Sequence, residues 1–355
     1  MLSVSSLKLT NFRCYEDIKM SFSPGINILI GKNGAGKTTI IEALGFLFVG
    51  KSFKKTKESD CLSNEKEYFC IVGDCLNDEK SQKIVFYYDE GGKKISINEK
   101  KVQKMSAFVS QKAFVCFSPD DLYIIKGSPL DRRRFLDVSI SQIDSEYIDF
   151  LNRYNKIIKQ RNEYLKSLDE NALNYDFLDV LDFELLSCGK QIIKKRQKFV
   201  THLCKYINIA MDNLSNKNDS LELAYSPKVK EEDFEKEFIK RRKHDIFLQT
   251  TTLGPHRDDL IFVINDKNAT DCASQGQIRC AVLALIISYY RLLKEINKPL
   301  IVAMDDVLSE LDEERKNKVF SVIEDGDQVF ITCTDLSNIS NEIVAKSNVI
   351  NIRKD

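Results

Sequence analysis

A chain of 355 residues, 43% of them hydrophobic, can bury a substantial core in two or three lobes, and its 53 basic and 53 acidic side chains cancel, so any nucleic-acid surface has to come from local clustering. Ten cysteines without one C-x-x-C pair, and only three histidines, exclude a zinc framework and predict reduced, mostly buried thiols in a cytoplasmic protein. The N-terminus lacks a signal-peptide profile, and the longest apolar run, Cys280 to Tyr290, is too short to span a bilayer, so no membrane partner is expected.

Leu7 to Arg13 alternates like a strand, Asp17 to Phe22 predicts a second, and Pro24-Gly25 turns the chain into a third at Ile26 to Ile30. Gly31-Lys32-Asn33-Gly34-Ala35-Gly36-Lys37-Thr38 follows, the G-x-x-x-x-G-K-[ST] pattern of a P-loop. Its glycines let backbone N–H groups converge on phosphate oxygens, Lys37 adds a full charge, and Thr38 opens a helix with a hydroxyl that suits Mg²⁺. Ile40, Ile41, Leu44 and Leu47 continue at helical spacing, so strand, loop and helix are all present. Lys51, Lys54, Lys55 and Lys57 then cluster beside Phe53. They read either as a solvated loop or as a phosphate-contacting, DNA-binding patch.

Tyr68 to Val102 predicts a β-meander with a turn at Glu90-Gly91-Gly92, and Ala113 to Phe117 a buried strand that Ser118-Pro119-Asp120-Asp121 ends. Arg132, Arg133 and Arg134 point in different directions on a helix, so at least one is expected in an internal ion pair. Tyr147, Leu151, Tyr154, Ile158, Leu165 and Leu168 step by four and three, with Arg161 filling a gap in the seam. Leu178, Leu181, Leu185, Ile192, Phe199, Leu203 and Tyr206 form a second stripe with Lys194, Lys195, Arg196 and Lys198 around it. Together they predict two helices packed as a short antiparallel arm, followed by a loop over Asp212 to Asp219 and a charged, exposed helix over Glu231 to Lys243.

Thr250-Thr251-Thr252 leads into Leu253-Gly254-Pro255-His256-Arg257-Asp258-Asp259, a polar cluster that reads as a site or as a capped turn with Arg257 bridged to an aspartate. A strand over Leu260 to Ile264 follows. Ser274-Gln275-Gly276-Gln277 opens a long apolar helix, and its free N–H groups form an anion site distinct from the P-loop. Leu300 to Asp306 is an apolar strand ending in two carboxylates, a Walker B form in which Asp305 would hold Mg²⁺ and Asp306 orient the attacking water. Ser309-Glu310-Leu311-Asp312 lies downstream, and a last strand, Gln328 to Cys333, delivers Thr334 toward the γ-phosphate.

P-loop, Ser-Gln-Gly-Gln, Asp-Asp and Ser-Glu-Leu-Asp in this order resemble an ABC-type ATPase head, and within that class the chain closely resembles the RecF family, related to the SMC ATPases. The likeness covers nearly the whole chain, through Asn11-Phe12-Arg13, Gly31 to Thr38, Lys126-Gly127-Ser128-Pro129 with Arg132 to Arg134, Arg161-Asn162, Gly254 to Asp259, Ser274 to Gln277 and Asp305 to Asp312. It implies an α/β head with a mixed sheet: lobe I over 1–117, a helical lobe II over 118–298 carrying the arm at about 145–210, and a return to lobe I over 299–355. It implies ATP and Mg²⁺ as ligands, Arg13, Gly31 to Thr39, Ser274, Gly276 and Gln277 as nucleotide-binding, Thr38 and Asp305 as metal ligands, and Lys37, Asp306, Thr334 and, from a second copy, Ser274 as catalytic. It further implies an ATP-dependent homodimer that binds DNA at junctions of single and double strand and cooperates with RecR and RecO in loading RecA.

The chain departs from general ABC heads by Thr334 where they carry a histidine and Asp306 where they carry a glutamate, which predicts slow turnover, more switch than motor; stimulation of that hydrolysis by DNA is what a DNA-binding ATPase would add. No Q-loop glutamine presents itself. Of the rival classes, a transporter ATPase subunit has no need of the helical insertion between Phe117 and Thr250, its basic faces or the string around His256, and a nucleotide kinase has no use for a second anion site at Ser274.

Overall fold

Period-two alternation builds the first sheet. In the computed structural model, β1 (Leu2–Phe12) buries Val4, Leu7, Leu9 and Phe12, and a bulge between Val4 and Ser6 resets the alternation. Residues 2–63, 65–77, 80–167, 175–323 and 327–353 are described. The chain divides into two units, Met1–Asp121 with Leu293–Asp355, and Leu122–Leu292.

In the first unit, β2 (Tyr15–Ser21) and β3 (Ile26–Ile30) lead to the P-loop and to α1 (Lys37–Val49). Beyond it, β4 (Phe69–Asn77), β5 (Lys80–Asp89), β6 (Gly92–Ile97) and β7 (Lys100–Lys101) complete an antiparallel sheet of order β2-β1-β4-β5-β6-β7. The short α2 (Met105–Val109) precedes β8 (Ala113–Phe117). α1 is apolar nearly all round and packs against strands of both this sheet and a second, parallel one, so it is buried on every side. Phe46 of α1 meets Phe12, Phe69 and Phe86 at ring-centroid distances of 5.6, 5.9 and 4.8 Å.

The second unit begins with α3 (Tyr123–Lys126) and α4 (Pro129–Ser141), the latter opened by a capping box between Ser128 and Asp131. α5 (Ser145–Lys166) is capped by Asp144, which accepts the Tyr147 N–H. α6 (Tyr175–Ser215) runs antiparallel to it, as the cross-links Lys195–Asp144, Arg153–Glu184 and Arg161–Asp182 require. With 41 residues α6 is ~60 Å long, roughly twice the length of α5, so the arm is two unequal helices. β9 (Leu221–Ser226), α7 (Phe234–Leu248), β10 (Asp259–Ile264) and β11 (Lys267–Asn268) follow, the strands forming a small antiparallel sheet of order β11-β10-β9. α8 (Ala269–Cys272) and α9 (Gln275–Glu295) complete the unit. By length and composition α9 could cross a membrane, yet it is mostly buried within the protein.

Back in the first unit, β12 (Leu300–Asp305), α10 (Glu313–Val322), β13 (Gln328–Cys333), α11 (Asn341–Ala345) and β14 (Asn348–Asn351) end the chain. The parallel sheet has the order β14-β3-β13-β12-β8. Gln328 bridges the two sheets, accepting the Val4 N–H at 2.6 Å and donating to the Val4 and Ser23 carbonyls.

Parallel and antiparallel strands thus segregate into separate sheets. The first half of the expected loop over Asp212 to Asp219 is helix: Met211 and Leu214 continue the buried stripe, and α6 stops only where Asn216 and Lys217 turn left-handed at φ 55° and 61°. In the α5 seam Leu151 and Ile158 are half-buried and Ile157 takes the core position, because a straight helix drifts from a strict seven-residue repeat. Leu168 lies outside the described residues. Arg196, expected on the basic face of α6, is buried instead.

Candidate nucleotide site

The P-loop leaves the end of β3 at the edge formed by β3, β13 and β12. A side chain on Gly31 would collide with the Ile352 carbonyl, and one on Gly36, at φ 99°, with the Tyr15 hydroxyl, which reaches the Ala35 carbonyl at 3.3 Å. Tyr15 and the strand end therefore fix the loop from outside. Lys32, Asn33 and Gly34 are exposed at its tip, whereas Ala35 and Lys37 are buried. The Lys37 ammonium donates to the Gly31 and Lys32 carbonyls at 2.6 and 3.0 Å, which holds it at the mouth of the loop.

The Thr38 hydroxyl donates to Asp305 Oδ1 at 2.9 Å across 267 residues of sequence, so the P-loop helix and the acidic strand end meet. Burial pushes the Asp305 carboxyl above its ordinary range, while hydrogen bonds from Thr38 and Thr332 and the charge of Lys54 pull it down. A buried carboxylate beside a hydroxyl is a hard-oxygen pair of the kind Mg²⁺ uses when substrate phosphates and water complete its shell, so the residues fit that ion. Asp306 stands next at φ 56°, a left-handed position that aspartate tolerates, with its N–H on the Thr332 hydroxyl and its carbonyl accepting from Ser309. Thr334 is exposed one residue past β13. Beyond β8, the half-buried Asp121 accepts the Ser118 N–H at 2.6 Å, and desolvation pushes its carboxyl up to about 7.

Three residues of this neighbourhood are not among the candidates that the sequence motifs single out. Thr332 is one. Glu42, a single carboxylate inside an apolar helix, is 1% exposed and accepts from Arg13 twice, at 2.7 and 3.0 Å, and from Ser52 at 2.5 Å. The third is Tyr15. Arg13, itself left-handed at φ 55°, is thereby turned to Glu42 and the Asp60 carbonyl. Ser52 also takes the Lys54 N–H, so the basic segment is tied to the P-loop helix and the Lys54 charge acts on Asp305. Lys51 is half-buried and Lys55 and Lys57 are exposed or nearly so. Thr39 is half-buried, 3.8 Å from the Cys14 thiol.

Within the second unit, Ser274 and Gln277 form a reciprocal cap: the Ser274 N–H reaches Gln277 Oε1 at 2.9 Å and the Gln277 N–H reaches Ser274 Oγ at 3.2 Å. Ser274 and Gly276 are exposed, and Gln277 donates to Asp219 at 2.7 Å.

The string at Gly254 to Asp259 is tied down internally. Arg132 holds Asp259 by two hydrogen bonds of 2.6 and 3.0 Å, Arg133 donates to the Asp258 carbonyl, and Asp258 accepts from Tyr225 and from the Lys228 N–H. The bridging arginine is Arg132; Arg257 is exposed. His256 faces the Tyr154 hydroxyl at 2.7 Å and the Thr251 carbonyl at 3.0 Å, and burial pushes it down to about 4. Its folded form takes up a proton later than the unfolded chain, so stability present at pH 7 is lost as pH falls through the unfolded value near 6.5 toward 4. By pH 5 this site alone should remove roughly 2 kcal/mol. Urea unfolding at pH 7 and pH 5 checks it: His256→Gln should lose less stability over the interval than the parent chain, and equal losses would contradict the assignment.

The family described as RecF/RecN/SMC N terminal domain matches residues 3–353. The protein is 37% identical over 362 residues to the DNA replication and repair protein RecF of Lactobacillus johnsonii, covering 98% of this chain and 97% of that one, and 38% identical to that of Acholeplasma laidlawii, covering 93% of each. Among solved structures, the recombination mediator protein RecF with ATP superposes with a TM-score of 0.90 at 30% identity, covering 99% of this chain and 96% of that one. The Smc head domain of Pyrococcus furiosus shares the fold, with a TM-score of 0.55 at 16% identity and coverage of 100% and 94%. With the P-loop threonine hydrogen-bonded to the acid at the end of β12 and a likeness running from end to end, the chain belongs to the RecF family of SMC-related proteins.

Proposed function

We propose that this protein is an ATP-switched DNA-binding protein of replication and recombinational repair, working in the cytoplasm. The observation that carries the reading is the hydrogen bond from Thr38 to Asp305, which joins phosphate loop and acidic strand end, in a chain so similar to RecF proteins, one of them solved with ATP. The P-loop N–H groups and Lys37 bind the phosphates, and Thr38 and Asp305 are the ligands for Mg²⁺, which when bound offsets phosphate charge. Asp306 orients the attacking water. ATP held by one copy is capped by Ser274 of the second, so ATP closes a dimer, the dimer grips DNA at a junction of single and double strand, and slow, DNA-stimulated hydrolysis releases it. RecR, with RecO, then couples this step to RecA loading. The solved relative, described as a recombination mediator in the RecFOR pathway, supports the place given to RecR and RecO.

The test compares binding to gapped, single-stranded and duplex DNA with and without ATP, in the parent chain and two variants. Asp306→Asn should keep ATP, hydrolyse it at least ~10-fold more slowly and hold gapped DNA longest; Asp305→Asn should weaken Mg²⁺-dependent nucleotide binding. DNA affinity indifferent to ATP in the parent chain would overturn the reading, and equal loss of nucleotide binding in both variants would overturn the division of roles.

A further inference from the structure

The geometry points to Thr332 as the residue that positions both acids of the nucleotide site, an inference that rests on the ATPase reading above. β13 lies between the P-loop strand β3 and the acidic strand β12, and the parallel register sets Thr332 opposite Asp305. Thr332 is 1% exposed. Its hydroxyl donates its single proton to Asp305 Oδ1 at 2.9 Å and accepts the Asp306 N–H at 2.9 Å. Thr38 donates to the same Oδ1. One oxygen of Asp305 is therefore held by two hydroxyls, which fixes the carboxylate plane and leaves Oδ2 to a ligand. The same Thr332 oxygen anchors the amide of Asp306 at the point where the chain leaves β12 in a left-handed conformation. A strand residue with an apolar side chain of the same shape would fill the space but release the Asp306 amide and leave Asp305 to Thr38 alone.

Thr332 is thus a positioning residue for two groups with different roles, and it acts through them. Thr332→Val keeps the volume and removes the hydroxyl; Thr332→Ser keeps the hydroxyl. The valine protein should bind ATP without a divalent ion within about twofold of the parent, bind Mn²⁺ in the ATP complex about 10-fold more weakly by electron paramagnetic resonance, and lose about 10–100-fold in kcat. The serine protein should recover both to within about threefold. A valine protein with parental Mn²⁺ affinity and kcat, or a serine protein as impaired as the valine one, would overturn the inference. Hydrogen exchange at the Asp306 amide, which needs no nucleotide, should be faster in the valine protein and unchanged in the serine protein. Equal protection in all three overturns the role of Thr332, whereas a parent chain that neither binds Mn²⁺ with ATP nor hydrolyses it overturns the ATPase reading instead.

Discussion

A Ser274→Arg protein should bind ATP as a monomer and stay a monomer. In the parent chain, ATP and Mg²⁺ should shift the sedimentation coefficient to that of a dimer, because on the proposed mechanism Ser274 of one copy would meet the γ-phosphate held by the other and a two-fold axis would repeat the contact. The features behind this expectation are an exposed Ser274, an exposed Gly276 with open space where a side chain would stand, and a helix start closed by a reciprocal cap between Ser274 and Gln277. Arginine there fills the space an oxygen of the partner's phosphate would occupy. The lost cap costs about 0.5–2 kcal/mol, small beside the apolar burial of α9, so the chain should still fold. We expect nucleotide affinity of the monomer within about threefold of the parent, dimerisation weaker by ~100-fold or more, corresponding to 2.7 kcal/mol or so, and no stimulation of hydrolysis by DNA. A variant that dimerises as readily as the parent would refute the shared site.

The second large effect belongs to Lys37. Its ammonium already donates to two loop carbonyls, so it is oriented before any phosphate arrives. Removing it as Lys37→Ala takes away charge-assisted hydrogen bonds at about 1.5–3 kcal/mol each, and ATP affinity should fall on the order of 100-fold or more by calorimetry. The glycines and Tyr15 still shape the loop, so the melting temperature without nucleotide should move little. Wild-type ATP affinity in this variant would remove the P-loop from the mechanism, and unfolding of the variant would mean that the lysine braces the loop more than it serves the phosphates.

Elements with strong local signals are legible in the amino-acid sequence. β3, β8 and β13 have the bounds that their apolar runs predict, and the P-loop sits between strand and helix as its pattern requires. β9 is absent from the expected strands although Leu221 to Tyr225 alternates clearly, and β14 is too short and too polar to announce itself. Thr332 is illegible for a different reason: nothing in Gln328 to Cys333 marks one threonine, and its role follows only from the register that sets it against Asp305, 27 residues away. Glu42 does leave a signal, a lone acid between Ile41 and Ala43 in a helix otherwise apolar there. A charge in such a run demands a buried counter-charge, and Arg13 supplies it. Arg196 reads as solvent-facing because three lysines surround it, yet its partners Asp137, Tyr147 and the Pro255 carbonyl come from elsewhere in the chain.

Those inward arginines give the arm a single alignment. A seam of leucines and isoleucines could slide by one helical turn, ~5.4 Å, and bury nearly the same apolar area. Arg161 cannot slide with it. It is fully buried, pairs with Asp182 of α6 at 2.6 Å and Asp245 of α7 at 2.8 Å, donates to Thr251 at 2.8 Å, and lies over the Phe238 ring. One turn of slippage would leave Asp245 without its cation and Asp182 with Arg242 alone, a penalty of about 3–5 kcal/mol for the broken buried pair. Arg196 repeats the constraint farther along α6 against Asp137 of α4. The two arginines act as dowels: α5, α6, α7 and the Thr251 segment fit together at one setting, and through the Pro255 carbonyl Arg196 ties the Gly254–Asp259 string to that same setting.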